Sequence, residues 1–248
     1  MNFHWLLPEQ KGIPVLMYHR IWPDFRDRIT QTPEQLEEQF LFLKQKGYQT
    51  ISLPEYLALV KGEVPMVGNK VLITFDDGYY NNLAYVYPLL KRLQMKATFF
   101  IIGDSLEGNL SSNDPLNRKM DIADLQSLDS TVVQLAMHGF HHENFKTTPA
   151  EELKQAMLKT IAIFKENNIF LHKALAYPFG GRPKDKNVFN GLKQWMLENG
   201  IEAAFRIGNA VSRVPAPDMY ELKRIDIRGT DSLEEFKIKL RKGKLNPF

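Results

Sequence analysis

The chain has 248 residues, with 32 basic and 29 acidic side chains and a net charge of +3, a balance that argues against nucleic acid as a partner. It contains no cysteine, which excludes disulfides and thiolate metal sites and leaves nitrogen and oxygen as the donors for any transition metal. The length suits one large α/β domain or two small ones, and no stretch approaches the roughly 18–20 apolar residues of a membrane span.

Met1 to Leu7 lacks a positive flank, and Pro8-Glu9-Gln10-Lys11-Gly12 interrupts any apolar core. The N-terminus therefore does not read as a signal peptide, and the expected location is cytoplasmic or peripheral to the cell envelope. A first strand is predicted over 13–18, ending at His19. Thr32-Pro33-Glu34-Gln35 is a capping box with proline at the first helical position, opening a helix to about Lys46 that Gly47 ends. A strand over 49–52 follows, and Ser52-Leu53-Pro54-Glu55 opens a second helix. Strands are then predicted over 71–75, 97–102, 132–137, 174–177, 203–207 and 222–227. Helices are predicted over 81–93, 122–128, from Thr148-Pro149-Ala150-Glu151 to about Asn167, over 186–198 and over 232–241.

The strands are nearly continuous apolar runs, as expected for a parallel sheet covered on both faces. Strand then helix, repeated about seven times, reads as α/β, either a closed barrel or an open doubly wound sheet. No Gly-rich phosphate loop follows the first strand, which weakens a dinucleotide-binding reading. Polar residues instead sit just after several strands: His19, Asp76 with Asp77, His138, and the turn at Pro178. That distribution favours a TIM-like barrel with its chemistry at the C-terminal ends of the strands. No internal repeat or linker is visible, so residues 1–248 are expected to form a single domain. The longest irregular stretch, 103–120, is rich in Asn, Ser and Asp, and a loop that long beside a site is often functional.

Asp76 and Asp77 end the run Val71-Leu72-Ile73-Thr74-Phe75, with Gly78 giving the turn. The sequence Asp-Asp-Gly is a common strand exit. Two carboxylates this close also repel, and a divalent metal on Asp77 would keep Asp76 ionised and available as a base. His138 and His142 follow the strand over 132–137; the two can converge on one ion if the backbone turns, or simply form a polar turn. Adjacent acids and a histidine pair together suggest metal-assisted hydrolysis.

Taken together these segments resemble the polysaccharide deacetylases, the NodB-homology or carbohydrate esterase family 4 group. Thr74-Phe75-Asp76-Asp77-Gly78 resembles the first family motif, His138 to His142 the second, and Ala176-Tyr177-Pro178-Phe179-Gly180 the third. The opening Pro14-Val15-Leu16-Met17-Tyr18-His19 is similar to the start of the poly-N-acetylglucosamine deacetylase branch. The likeness runs from about Ile13 to Asp226. It implies an irregular (β/α)7-type barrel. It also implies a divalent metal on Asp77, His138 and His142 (Zn²⁺ first, with Co²⁺, Ni²⁺ or Mn²⁺ as alternatives). Asp76 would be the base, and the backbone N–H near Phe179 an oxyanion donor. The implied substrate is an N-acetylated glycan or amino sugar. A deacetylase or deformylase of a lipid-linked envelope sugar and a non-catalytic glycan-binding module are the alternatives.

The chain departs from the family pattern at three places. Gly139 replaces the usual Ser/Thr. Ala176 stands where many relatives carry an arginine that orients the catalytic aspartate; Arg224 is the candidate substitute, with Arg228 behind it. No histidine follows His172, so the late general acid of many relatives is missing, and His19 matches the early histidine of the poly-N-acetylglucosamine branch. The bland reading of His19 is a buried polar residue ending a strand. Tyr79 and Tyr80 are candidates for stacking on a sugar or for packing a helix start. Tyr177 and Pro178 are assigned to substrate contact with Phe179. Trp22 is the best-placed aromatic for a sugar; Trp5 and Trp195 are scattered, and His4, His141 and His172 are left structural or outside the metal group. Lys237 to Lys244, five basic residues in eight, reads as a solvated helix end or as a contact for anionic lipid or polymer.

Overall fold

The computed structural model describes residues 12–112 and 114–245; the N-terminal segment read above, with His4 and Trp5, lies outside the described residues. In chain order the elements are β1 (Val15–Tyr18), β2 (Arg20–Ile21), β3 (Thr30–Gln31), α1 (Pro33–Gln45), β4 (Gln49–Thr50), α2 (Leu53–Lys61), β5 (Lys70–Phe75), α3 (Tyr87–Leu93), β6 (Ala97–Ile101), α4 (Ile122–Gln126), β7 (Val133–Met137), α5 (Ala150–Glu166), β8 (Ala174–Ala176), α6 (Lys186–Glu198), β9 (Ala203–Ile207), β10 (Leu222–Asp226) and α7 (Leu233–Lys242).

Seven parallel strands close into a barrel in the order β1, β5, β6, β7, β8, β9, β10 and back to β1. The closing register pairs Leu16 with Ile225 on one side of β1 and with Ile73 on the other. The predicted strand over 49–52 is not a stave of this ring: β4 pairs only with the start of β5, at Gln49↔Lys70 and Thr50↔Val71. β2 and β3, two residues each, form a separate pair above the ring; runs that short carry no readable periodicity.

Alternation along each strand decides which side chains face inward. Leu72 of β5, Phe100 of β6, Ala136 of β7, Ala174 and Ala176 of β8, Phe205 of β9 and Leu222 of β10 share one buried cluster with Leu53, Tyr56 and Val60 of α2. α2 thus plugs the end of the barrel where the strands begin. The opposite parity, such as Val71, Ile73 and Phe75, packs outward beneath α1 and α3. Continuing the inward parity reaches His138 and Ile207 two residues beyond Ala136 and Phe205, and Asp76 and His19 four residues beyond Leu72 and the equally buried Val15 of β1, all at the open C-terminal end.

The predicted helix over 81–93 is broken into a π-helical turn, Asn82–Val86, followed by α3. Pro88 in the first turn of α3 lacks an N–H and crowds the carbonyl four residues back, and the wider turn accommodates it. α5 begins at Ala150 with Pro149 as its N-cap and no side-chain cap, so Thr148 does not cap it. The basic run in α7 is only partly solvated. Lys239 is buried, donating to the Asp231 carboxylate and the Asp226 carbonyl, and Lys237 pairs with Glu234. Among the described residues no helix is long and apolar enough to cross a membrane.

Candidate functional site

The turn after β5 is built from two successive left-handed residues. The Asp76 N–H still donates to the Tyr18 carbonyl of β1 at 2.9 Å, so Asp76 ends the strand with its side chain inward. Asp77 has φ +70° and Gly78 φ +66°. Aspartate tolerates this region better than most residues, but it still stores strain of about 1 kcal/mol, and such outliers collect at functional sites. The turn leaves both carboxylates at the same end of the barrel.

The histidine segment has its own scaffold. The His138 N–H donates to the Ile101 carbonyl at 2.8 Å, and Nδ1 lies 2.8 Å from the Ala176 carbonyl of β8. A carbonyl can only accept, so Nδ1 carries a proton, and in the neutral ring Nε2 presents its lone pair toward the cleft. Glu143 closes the loop by accepting the N–H groups of Phe140 and His141, each at 2.9 Å. This explains the missing Ser/Thr. Gly139 has φ +76°, and a Cβ there would lie 2.4 Å from Glu143 Oε2. Gly139→Ser is expected to lower stability by about 2–3 kcal/mol, from left-handed strain plus the displaced Glu143 carboxylate. A thermal melt should show Tm falling by roughly 4–12 °C for a chain of this size; an unchanged Tm would discard this account of the loop.

His142, itself at φ +60°, completes the group. His138 Nε2 lies 3.4 Å and His142 Nε2 3.5 Å from Asp77 Oδ1. That oxygen is buried and accepts no hydrogen bond. A carboxylate oxygen facing two imidazole nitrogens, one of which turns its lone pair inward when the ring is neutral, is a donor set that a cation between them satisfies. These two separations are close to the edges of a tetrahedron with arms of ~2.0–2.1 Å, about 3.3–3.4 Å, and all three donor atoms lie within 4.8 Å of one another. Asp77, His138 and His142 therefore fit a divalent ion held by nitrogen and oxygen. Burial pushes the His142 imidazole down, toward the neutral form a ligand requires. Burial opposes ionisation of Asp77, but the donors and cations around it, Lys119 among them, outweigh burial and hold its carboxyl well below the usual range. Lys119 Nζ stands 3.8 Å from Asp77 Oδ2, the oxygen not facing the histidines.

Beside this group lies Asp76, which is buried. Arg224 of β10 donates to both its oxygens, at 2.6 and 2.7 Å, and also reaches Thr74 Oγ1 at 3.3 Å. Burial raises the Asp76 carboxyl, yet the Arg224 guanidinium outweighs it and keeps it below the ordinary carboxylate value. His19 Nε2 is 3.9 Å and His138 Nε2 3.8 Å from Asp76 Oδ2. His19, Asp76, Asp77, His138, His142 and Arg224 open into one cleft of about 440 Å³, lined also by Met17, Arg28, Ile29, Phe179, Ile207 and Asp226. That volume suits a sugar-sized ligand.

The other predicted contacts fare differently. Phe179 lines the cleft, 61% exposed, with φ +58° and its ring 4.4 Å from that of His142. The Gly180 N–H donates to the Tyr177 carbonyl and Pro178 has none, leaving the Phe179 N–H as the turn's available donor. The Tyr177 side chain does not reach the cleft. It is buried against Phe145, 5.3 Å between rings, and its hydroxyl donates to the Tyr220 carbonyl at 3.1 Å. Pro178 is buried and does not line the cleft either. Tyr79 is engaged from behind by Lys119, whose Nζ is 3.3 Å from its ring centre. Burial and then Asp77 push its hydroxyl up to about 12. Tyr80 stacks on Arg118, Trp22 is not among the cleft-lining residues, and Arg228 contacts Asp226 rather than Asp76. Sequence reasoning missed Lys119, Glu143, Arg28 and Asp226. Asp226 alone left a signal, two residues after Arg224 on the same strand face.

The family profile described as polysaccharide deacetylase matches residues 63–200, more than half of the chain. The chain belongs to the polysaccharide deacetylase family. YxkH of Bacillus subtilis (strain 168) is 29% identical over 151 residues, 60% of this chain and 53% of its own length. The poly-beta-1,6-N-acetyl-D-glucosamine N-deacetylase of Escherichia coli (strain K12) is 30% identical over 104 residues, 40% of this chain and 16% of its own. The chain thus spans about half or less of the length of these relatives. Among solved structures, IcaB from Ammonifex degensii superposes with TM-score 0.75 at 19% identity, covering 94% of this chain and 98% of that one. The fold of this family member is the closed seven-stranded barrel that the resemblance implied.

Proposed function

We propose that this chain is a metal-dependent N-deacetylase that hydrolyses the acetamide of an N-acetylated sugar, in a poly- or oligo-N-acetylglucosamine-like glycan, to acetate and a free amine. We take residues 1–248 as one catalytic domain. The observation that carries the reading is the buried Asp76–Arg224 pair set beside the Asp77, His138 and His142 group at the floor of an open cleft. A divalent cation on those three residues, Zn²⁺ before Co²⁺, Ni²⁺ or Mn²⁺, would supply Lewis-acid polarisation of the acetyl carbonyl and acidify a water. Asp76, kept ionised by Arg224, takes a proton from the attacking water. The Phe179 N–H donates to the developing oxyanion, a contact whose loss typically costs about 3–4 kcal/mol. His19 gives a proton to the departing amine as the C–N bond breaks.

His19→Ala is expected to slow turnover about 10²–10⁴-fold while metal content stays unchanged. No kinetic effect would assign the acid role elsewhere. The defining test is acetate release from N-acetylglucosamine oligomers by metal-stripped and metal-restored protein. Release that returns only with metal supports the proposal. Stoichiometric metal without release from any oligomer or lipid-linked sugar would favour a binding module instead.

A further inference from the structure

Arg224 and Asp226 stand two residues apart on β10, so both face the interior. Arg224 is committed to Asp76. Asp226, one step nearer the mouth, lines the cleft with His19 and Arg28 and lies outside both the metal group and the Asp76 pair. Its side chain is 6% exposed, and its backbone is fixed from both sides. The Asp226 N–H donates to Asn209 Oδ1 at 3.0 Å, and Lys239 Nζ donates to its carbonyl at 2.8 Å. Arg228 Nε donates to Oδ2 at 2.9 Å, and an Arg28 guanidinium nitrogen lies 4.0 Å from the same oxygen. Both cations thus stand on Oδ2, and no described donor reaches Oδ1.

A rigid carboxylate with one oxygen engaged and the other free beside an open cleft is an acceptor set for a ligand's donor. The charge around it selects the donor. With Arg28 and Arg228 already on Asp226, a third cation gains little, and the carboxylate repels an anion. A neutral hydroxyl suffers neither penalty. Arg28 adds exposed donors from the β2–β3 loop, and Ile29 and Phe179, both exposed, offer apolar surface for the C–H face of a sugar ring.

We propose that Asp226 and Arg28 form a hydroxyl-recognition subsite that orients the acetylated sugar ring relative to Asp76 and the metal group. This rests on the deacetylase reading and extends it to two residues that fix specificity rather than carry the chemistry. The test compares wild type, Asp226→Asn and Arg28→Ala as metal-loaded full chains, for turnover of N-acetylglucosamine oligomers and, separately, for oligomer binding by saturation-transfer NMR. Each variant should raise KM or weaken binding about 10–100-fold, the range for hydrogen bonds to charged groups, with metal content and Tm near wild type for Arg28→Ala. Wild-type turnover with unchanged KM and binding in Arg28→Ala and a folded Asp226→Asn overturns the subsite and leaves the activity standing. Wild-type binding without turnover, lost in the variants, keeps the subsite and overturns the activity. Neither binding nor turnover in the wild type overturns both.

Discussion

Asp76→Asn is expected to reduce acetate release by at least about 10³-fold while the protein keeps its full complement of metal. The loss exceeds that of an ordinary surface base because the amide cannot accept the water's proton and also disturbs its partner. Arg224 donates to both oxygens of Asp76 in a buried site; asparagine sets an NH₂ donor against one of those N–H groups. The stranded guanidinium should cost about 3–5 kcal/mol of stability, as breaking a buried pair from one side does. The double variant Asp76→Asn/Arg224→Met should recover part of that stability and stay inactive, which separates folding from chemistry. Elemental analysis and acetate release decide the matter; turnover retained by the single variant would remove Asp76 from the base role.

His138→Ala is expected to lose metal and activity together. His138 contributes one of the two lone pairs facing Asp77 Oδ1, and its ring is locked by the Ala176 carbonyl at 2.8 Å. Loss of an outer-shell partner alone typically weakens a metal site about 10–100-fold, and loss of a ligand should exceed the upper end of that range. Competition with a chromogenic chelator measures it without reference to turnover. Unchanged metal affinity would discredit the assignment of His138 as a ligand.

The barrel was legible because its strands are apolar on both faces, and its chemistry was legible because the key side chains come in adjacent or closely spaced runs. Asp76 with Asp77, and His138 with His142, are neighbours in the sequence and do meet in space. Arg224 was reached only by asking what could replace a missing arginine. Alternation, applied strictly, would have corrected Tyr177: with Ala174 and Ala176 facing inward, the next residue must face out, and it packs on Phe145. β4 misled because two apolar-flanked residues beside a parallel strand look the same whether or not they close a ring. Lys119 and Glu143 were invisible because they act from irregular backbone, where position depends on pairings such as Tyr79↔Lys119 that no local period encodes.

The Asp76–Arg224 contact joins residues 148 positions apart and forms only when β10 docks between β9 and β1. The residues around Asp77 come instead from β5 to β8, consecutive staves whose pairing needs no ring closure. Closing long loops late is the general habit of parallel sheets, since their chain entropy must be overcome before the contacts repay it. The Asp77, His138 and His142 group and the Asp76–Arg224 pair should therefore assemble at different stages as the chain folds. A barrel unzipped along the β1–β10 seam would keep Asp77, His138 and His142 together but would leave Asp76 without its counter-charge, free to take up a proton.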